Sequence, residues 1–444
     1  MTQRTVAVVG LGKIGLPLAV QYATRGHRVL GCDINPEVVE LVNSGIEPFP
    51  GEDSLETMLS NVVNNGSLEA TTDTSEAVRQ SGAVIVVVPV AIDSIGLVDF
   101  SHIDRAVEAI GSGLQPDTVV CFETTVPVGT TRQRFTPVLE QLSGLKAGED
   151  FFVAFSPERV LTGRVFADLR RYPKLVGGID ERSLKVAADL YADLLDFDVR
   201  DDLPRANGVW DLGTSEAAEL AKLAETTYRD VNIALANTFA VFGEKMGIDI
   251  RPVIEACNSQ SFSHIHDPGV SVGGHCIPIY PHLYLANDSD AVLVREARAV
   301  NSAMPGHVVD RLEGLLGNLQ GLRVVILGAS YRGQVKESAF SGVFAVSREL
   351  SSRGALPVVH DPLFDDDELR ALGFEPFKPG SGASAAILQA NHDEYRRWDQ
   401  SRIPGIKVFL DGRSWTDPTR WPGVIHVAVG QPTPDAHANH GPTR

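Results

Sequence analysis

Val6-Ala-Val-Val-Gly10-Leu-Gly12-Lys13-Ile14-Gly15 decides how the rest of the chain reads. Thr5–Gly10 is β-branched and apolar throughout, the pattern of a strand buried on both faces of a parallel sheet. The glycine turn Gly10–Gly15 follows, then Leu16–Thr24 with helical periodicity, then a second strand, Arg28–Asp33. Strand, turn, helix and strand within about thirty residues make a βαβ unit. Alone, GxGxxG is a weak signal; between a strand and a helix, with an aspartate closing the next strand, it is a strong one. Gly10 permits the tight turn, Gly12 lets the backbone approach a pyrophosphate, and Gly15 lets helix and strand pack closely. The helix N-terminus, where Lys13 and Ile14 lie, adds partial positive charge for phosphates. Asp33 would accept hydrogen bonds from ribose hydroxyls and repel a 2′-phosphate, so the expected cofactor is NAD rather than NADP.

Outward from this unit, strand-like runs return at Ala83–Val90, Thr118–Phe122 and Phe151–Phe155, with helix-like segments between. The alternation implies α/β architecture with a doubly wound parallel sheet. The pattern changes near Thr214. From Ser215 to about Met246 there is no strand signal, and no proline or glycine before Gly243. Leu220, Leu223, Ala224, Val231, Ala234, Leu235 and Phe242 form an apolar stripe at helical spacing, Ser215 can cap its start and Gly247 can end it. A helix of this length spans about 45 Å. It suits a spine between domains, a dimer interface or an ordinary buried helix. Leu322–Gly328 is again a buried strand opening onto a glycine turn. Helix Gly342–Arg353 and strand Ala355–His360 follow, then Asp361-Pro362 and strands Ile406–Leu410 and Val424–Val429. A second α/β domain therefore echoes the first. The tail after Gly430, rich in Pro, His, Asn and Gly, is expected to be disordered.

Composition narrows the function. The 444 residues carry 39 Lys+Arg and 57 Asp+Glu, a net charge of −18, with 43% hydrophobic and 22% charged residues. This fits a globular enzyme of two or three domains. The acidic balance disfavours nucleic acid as a partner. Apolar runs such as Ala83–Val90 fall short of a membrane span, and Met1-Thr-Gln-Arg4 leads into a strand without a signal peptide, so the cytoplasm is expected. The cysteines, Cys32, Cys121, Cys257 and Cys276, form no CxxC pair, which argues against a disulfide framework or a structural zinc site.

Three further stretches carry chemistry. In Gly269-Val-Ser-Val-Gly273-Gly274-His275-Cys276-Ile-Pro278 a cysteine follows a glycine pair in a polar stretch. A lone cysteine is more often a small buried hydrophobe than a nucleophile. Here the glycines would let backbone amides approach a substrate and face developing charge. His264, His266, His275, Cys276 and His282 lie close in sequence, but their spacing fits no zinc signature, so no metal is expected. Lys222, Thr226 and Arg229 stand at i, i+4 and i+7 of the long helix and share a face apart from the leucine stripe. That face could be solvated, or its lysine could lower a thiol pKa and stabilise an oxyanion. Glu158 in Phe155-Ser-Pro-Glu-Arg-Val-Leu-Thr-Gly163 and Thr125 in Glu123-Thr-Thr-Val-Pro127 each follow a strand, at the sheet edge where open α/β folds bind ligands. Turn chemistry around Pro127 and Pro157 is the alternative.

Together these stretches resemble the UDP-glucose/GDP-mannose dehydrogenase family of nucleotide-sugar 6-dehydrogenases. The resemblance runs from Val6 to about Val429. It rests on Gly10–Gly15, Thr124–Thr130, Ser156-Pro-Glu-Arg159, Glu219–Glu225 with Tyr228–Ala234, and above all Val272–Pro278. The Pro-Glu-Arg and Gly-Gly-His-Cys-Ile-Pro forms are most similar to the branch acting on UDP-N-acetylhexosamines such as UDP-N-acetylmannosamine. The resemblance implies two Rossmann-like domains joined by a long central helix: an NAD-binding domain at 1–205, a helical dimerisation domain at 206–305, a UDP-binding domain at 306–430, and a tail at 431–444. It implies four-electron oxidation of a sugar C6 alcohol to the uronate with NAD, in a homodimer. Carried over by motif, Cys276 would trap the C6 aldehyde as a thiohemiacetal and Lys222 would stabilise the oxyanion. Glu158 would act as base or position water, with Thr125 helping. Pro89 and Thr125 join the cofactor set. Arg159, Arg229, Gly273, Gly274, His275, Tyr331, Arg332, Lys336 and Arg413 join the substrate set, the last three as candidates to hold diphosphate or uronate.

Two positions depart from the family pattern. Where the family has Asp after Cys-Ile-Pro, this chain has Tyr280, which is neutral at pH 7. Where it has Asn four residues past the lysine, this chain has Thr226, with a shorter reach. Both changes lie on the oxyanion and hydrolysis side. They leave open a two-electron oxidation stopping at the aldehyde, or a different nucleotide substrate. A non-catalytic nucleotide-sugar-binding protein is the reading from another class, against which Cys276, Lys222 and Glu158 all speak.

Overall fold

The computed structural model describes residues 3–49, 51–93 and 97–433. The chain forms two compact units: Met1–Glu225 with His282–Asn287, and Thr226–Pro281 with Asp288–Arg444.

The first unit is built on an eight-stranded sheet. Its strands run, edge to edge, Val209–Thr214, Lys174–Gly178, Phe152–Phe155, Val119–Phe122, Ala83–Val86, Thr5–Val9, Arg28–Cys32 and Leu68–Thr71. Thr5–Val9 pairs in parallel with both Arg28–Cys32 and Ala83–Val86, so the strand order reverses beside Gly10. Val6 and Val8 pack into one core, and Ala7 and Val9 into the other on the opposite face. This two-sided burial explains why the strands read as continuous apolar runs rather than alternating ones. Each such Val or Leu contributes about 1.5–3 kcal/mol by leaving water.

The sheet departs from the all-parallel expectation in one place. Phe152–Phe155 pairs antiparallel with Lys174–Gly178. Val209–Thr214 then runs parallel to Lys174–Gly178, with a register shift between Asp211 and Thr214. Strands Leu68–Thr71, Lys174–Gly178 and Val209–Thr214 lie outside the runs singled out in the sequence, and Ala83–Val90 shortens to Ala83–Val86.

Helix Ser215–Met246 spans the expected residues. Its polar face is the more buried one. Glu219, Lys222, Thr226, Asp230 and Asn237 are buried, whereas Leu220, Leu235 and Phe242 of the apolar stripe are exposed. Leu223 and Ala234 of that stripe are buried.

The second unit carries a five-stranded, wholly parallel sheet ordered Leu356–His360, Arg323–Leu327, Ala385–Leu388, Val408–Asp411, Ile425–Ala428. Val324 and Ile326 face one core, Val325 and Leu327 the other. The order places a second switch point between Arg323–Leu327 and Ala385–Leu388, at Gly328. Of the tail expected to be disordered, 434–444 lies outside the described residues. Gln431 is held: its side chain donates to Asp249 at 3.0 Å and its carbonyl accepts from Arg311 at 2.7 Å. Among the described residues no helix is long and apolar enough to cross a membrane.

Candidate active site

In the first unit the glycine turn sits at the switch point. Gly10 has φ +96°, and a Cβ there would lie 3.0 Å from the Val87 carbonyl oxygen. At Gly15 a Cβ would fall 1.8 Å from the Gly10 carbonyl oxygen, while at Gly12 it would meet nothing within 4 Å. Two glycines are thus demanded by the fold. Gly12 instead faces open space at the start of helix Gly15–Thr24, where a pyrophosphate can approach backbone amides. Asp33, half-buried, accepts from Leu11 N and Asn35 N, both at 2.9 Å, which fixes its carboxylate at the strand end. This donor set fits a dinucleotide with unsubstituted ribose hydroxyls. Lys13 and Ile14 are half-buried beside it and Pro89 is exposed beyond Val87.

Next along the same sheet edge lie Thr125 and Glu158. Thr125 is buried in a loop that the long helix holds from behind: Glu219 accepts from Gly129 N at 2.6 Å and Thr131 N at 2.9 Å. Burial pushes the Glu219 carboxyl up despite these amides. One turn further on, Lys222 Nζ donates to the Glu158 main-chain oxygen at 2.5 Å. The Glu158 carboxylate accepts from Arg159 N at 2.7 Å, Val160 N at 3.1 Å and Lys174 Nζ at 2.8 Å. Burial raises its pKa, but Lys174 and these amides outweigh burial and hold it below the ordinary carboxylate range. Arg159 reaches the Pro173 carbonyl at 2.7 Å and lies 3.7 Å from Glu225.

The second unit gathers most of the remaining candidates around the cysteine loop. Gly274 has φ +92°, and a Cβ would sit 3.0 Å from the Tyr331 ring; at Gly273 it would meet Phe340 O and Tyr331 Cβ at 2.9 Å. Arg332 Nε donates to the Tyr331 hydroxyl at 3.0 Å. His275 lies 3.6 Å from Glu337 and edge-on to Phe340. Arg413 donates to Gln389 O at 2.7 Å and to Ser271 O and Oγ at 3.1 Å, all neutral oxygens. Burial draws its pKa down to about 10, still a full cation at pH 7. A half-buried guanidinium whose hydrogen bonds go to neutral oxygens, with Asp411 the one charge acting on it, can still take an anionic ligand.

Both ends of the loop are anchored by a buried polar network from two helices. Gly269 N donates to Asn237 at 2.9 Å, and Arg298 donates to Pro278 O at 3.3 Å. Asn301 and Asp230 join the two ends: Asn237 donates to Asn301 at 2.9 Å, and Asp230 takes Arg298 at 2.6 Å and Asn301 at 2.8 Å. Cys276 itself is half-buried, its carbonyl accepting from Tyr280 N at 2.9 Å, where helix Tyr280–Asn287 begins.

Two candidates remain. Lys336 is half-exposed and ion-paired with Glu368 at 2.5 Å, and Arg229 is half-buried on the long helix. Of the other cysteines, Cys32 and Cys121 are buried, but Cys257 is exposed on helix Ile250–Asn258 and is not a core thiol. Among the described residues no group of three His, Cys, Asp or Glu side chains could hold a metal ion. Not singled out in the sequence were Lys174, which reaches Glu158, and Glu123 and Tyr191, which hold Lys174. A charged residue at the end of an apolar strand was the available signal.

Comparison with known proteins extends these observations. Residues 4–195 match the NAD binding domain of the UDP-glucose/GDP-mannose dehydrogenase family, and residues 216–303 match its central domain. A UDP-N-acetyl-D-mannosamine dehydrogenase of Pyrococcus horikoshii is 32% identical over 419 residues, covering 92% of this chain and 95% of the relative. The structure of a UDP-N-acetyl-mannosamine dehydrogenase from Staphylococcus aureus superposes with a TM-score of 0.82 at 27% identity, over 96% of this chain and 98% of that one. A UDP-glucose dehydrogenase from Pyrobaculum islandicum superposes with a TM-score of 0.85 at 26% identity, over 97% and 98%.

Proposed function

This chain belongs to the UDP-glucose/GDP-mannose dehydrogenase family, an NAD-dependent nucleotide-sugar dehydrogenase, and from that premise we propose that it oxidises the C6 alcohol of a UDP-N-acetylhexosamine to the uronate through a covalent intermediate on Cys276. The observation that carries this reading is the buried Lys222 ammonium on the Glu158 carbonyl, in a chain whose relative of known name acts on UDP-N-acetyl-D-mannosamine.

Bound at Gly12 and Asp33, NAD supplies the hydride acceptor. Cys276 Sγ adds to the C6 aldehyde, which would otherwise be lost as its hydrate. The thiohemiacetal keeps the carbon in place until the second oxidation leaves a thioester. Lys222 stabilises the oxyanion, and Glu158, with Thr125, orients the water that releases the acid. Arg413, Arg332 and Lys336 take the anionic groups of the nucleotide sugar, with Tyr331, Gly273, Gly274 and His275 shaping the loop and Arg159 and Arg229 facing the sugar. In this reading 1–205 binds NAD, 206–305 joins the halves and 306–430 binds UDP.

Purified protein with UDP-N-acetylmannosamine and excess NAD should form two NADH per sugar, and Cys276→Ala should form no acid. Full acid formation by Cys276→Ala would overturn the covalent route. Tyr280 and Thr226, the latter wholly buried, favour one competing reading, a stop at the aldehyde. Product mass and a ratio of one NADH per sugar would establish it instead.

The exposed Leu220, Tyr228, Leu235 and Phe242 support a homodimer through the long helix. Phe242→Glu should then halve the mass seen by light scattering, and an unchanged mass would remove this face from the interface. The requirement for a reduced Cys276 thiol together with NAD places the reaction in the cytoplasm. Recovery of the enzyme in a secreted fraction would contradict that placement.

A further inference from the structure

The antiparallel pairing in the first sheet has a chemical result. Parallel strands Val119–Phe122 and Phe152–Phe155 end at the ligand edge, so Glu123 and Glu158 lie there. Lys174–Gly178 runs the other way, so its first residue arrives at the same edge. Continuing the register that sets Ala154 against Gly178 and Phe155 against Gly177 brings Lys174 opposite Glu158. Its Nζ stands 2.8 Å from Glu158 Oε2 and 2.9 Å from Glu123 Oε2. Tyr191 donates to the other Glu123 oxygen at 2.6 Å, and its ring lies 4.8 Å from Lys174 Nζ. Glu123, Lys174 and Tyr191 are all buried.

We infer that Lys174, tethered by Glu123, is a positioning residue for the oxidation proposed above. It fixes the Glu158 carboxylate directly and, through the Glu158 main chain, the seat of Lys222. The inference rests on that reading for the roles of Glu158 and Lys222. The groups facing the cluster are Tyr22 from the dinucleotide helix, Cys121 from the neighbouring strand, Tyr191 and Lys222. Each of the first three is neutral at pH 7, so the charge balance is set by two carboxylates and two lysines. Burial pushes the Glu123 carboxyl up to about 7, with Lys174 opposing, while Glu158 is held low. One lysine thus keeps the exposed-side carboxylate ionised and its orientation single.

The test compares Lys174→Met, Lys174→Arg and Glu123→Gln with wild type, using UDP-N-acetylmannosamine, NAD and carboxyl-13C glutamate labelling. The Glu158 resonance is assigned by its loss in Glu158→Gln. Lys174→Met should raise the Glu158 titration midpoint and move the acid limb of the kcat profile to higher pH. At neutral pH kcat should fall about tenfold or more, with KM for NAD within about twofold. Lys174→Arg should restore most of the loss. Glu123→Gln should move the midpoint the opposite way, because Lys174 then serves a single carboxylate; this variant decides the matter should Lys174→Met not fold. An unchanged midpoint in both Lys174→Met and Glu123→Gln would overturn the inference. If wild type does not turn over this sugar, the substrate reading fails, and the midpoints still judge Lys174.

Discussion

The molecule contains two glycine turns of similar origin and opposite fate. Both follow the first strand of their sheet at its switch point, between parallel neighbours, and both face an aspartate just past the end of the neighbouring strand. At Gly10–Gly15 the helix begins at once, Gly12 faces open space, and Asp33 remains half-exposed. At Gly328–Gly333 the helix waits until Gly342, and a Cβ on Gly333 would lie 2.2 Å from the Asn391 carbonyl oxygen. Asp361 is buried, its Oδ2 taking Ala329 N at 2.8 Å, Ser330 N at 2.9 Å and His392 Nε2 at 3.1 Å. A strand, a glycine and an aspartate therefore make a dinucleotide site only where the helix N-terminus and the carboxylate are both left accessible. In the second turn the chain itself fills the place a dinucleotide pyrophosphate takes in the first.

Substitutions can break this comparison. Gly15→Ala should be the most damaging, since its methyl would strike main chain that cannot move; we expect about 3 kcal/mol lost and no NAD binding by calorimetry. Gly333→Ala should cost about 2 kcal/mol in denaturant unfolding while NAD affinity stays within about twofold. Weakened NAD binding in that variant would join what the comparison separates. Gly12→Ala should leave Tm unchanged and raise the NAD Kd about tenfold, because its methyl occupies only the pyrophosphate approach. A lowered Tm would show that Gly12 is structural. The smallest effect is with pH. A carboxyl raised to about 7, as Glu123 is, favours the folded state at low pH, so its contribution is lost as pH climbs from about 4.5 to 7. Burial raises Asp361, but His392 and the backbone amides hold it low, so its contribution is lost as pH falls through the acid range. Hydrogen exchange resolved by unit should show the first loosening between pH 5 and 7, by at most about 1.4 kcal/mol per pH unit. Glu123→Gln should flatten that slope, and an unaltered slope would reassign it.

Legibility followed the range of the interactions. Gly10–Gly15, Asp33 and helix Ser215–Met246 are specified by residues near one another in the chain, and they were readable there. Leu68–Thr71 and Ala385–Leu388 escaped because each is only four residues long, with Glu69 interrupting the first and Ala385 and Ala386 making half of the second. The burial of the helix faces stayed open for a different reason. Lys222, Thr226 and Asp230 are buried among polar partners, which hydrophobic periodicity cannot see. Lys174 pairs with Glu123 across 51 positions and with Glu158 across 16, and only sheet topology brings them together. The motifs and their order were legible, while the charges that tune them were not.

The irregular border strand Val209–Thr214 has a consequence for the molecule among its neighbours. A straight, bare strand at the rim of a sheet invites another chain to add itself. Here Asp211 folds back to accept from Gly213 N at 2.6 Å, Gly213 turns to φ +79°, and Arg205 lies 4.3 Å over the Trp210 ring. The rim is kinked, charged and partly capped, so it offers no template for edge-to-edge growth. At this rim the eight-stranded sheet is thereby closed to a strand from a second copy.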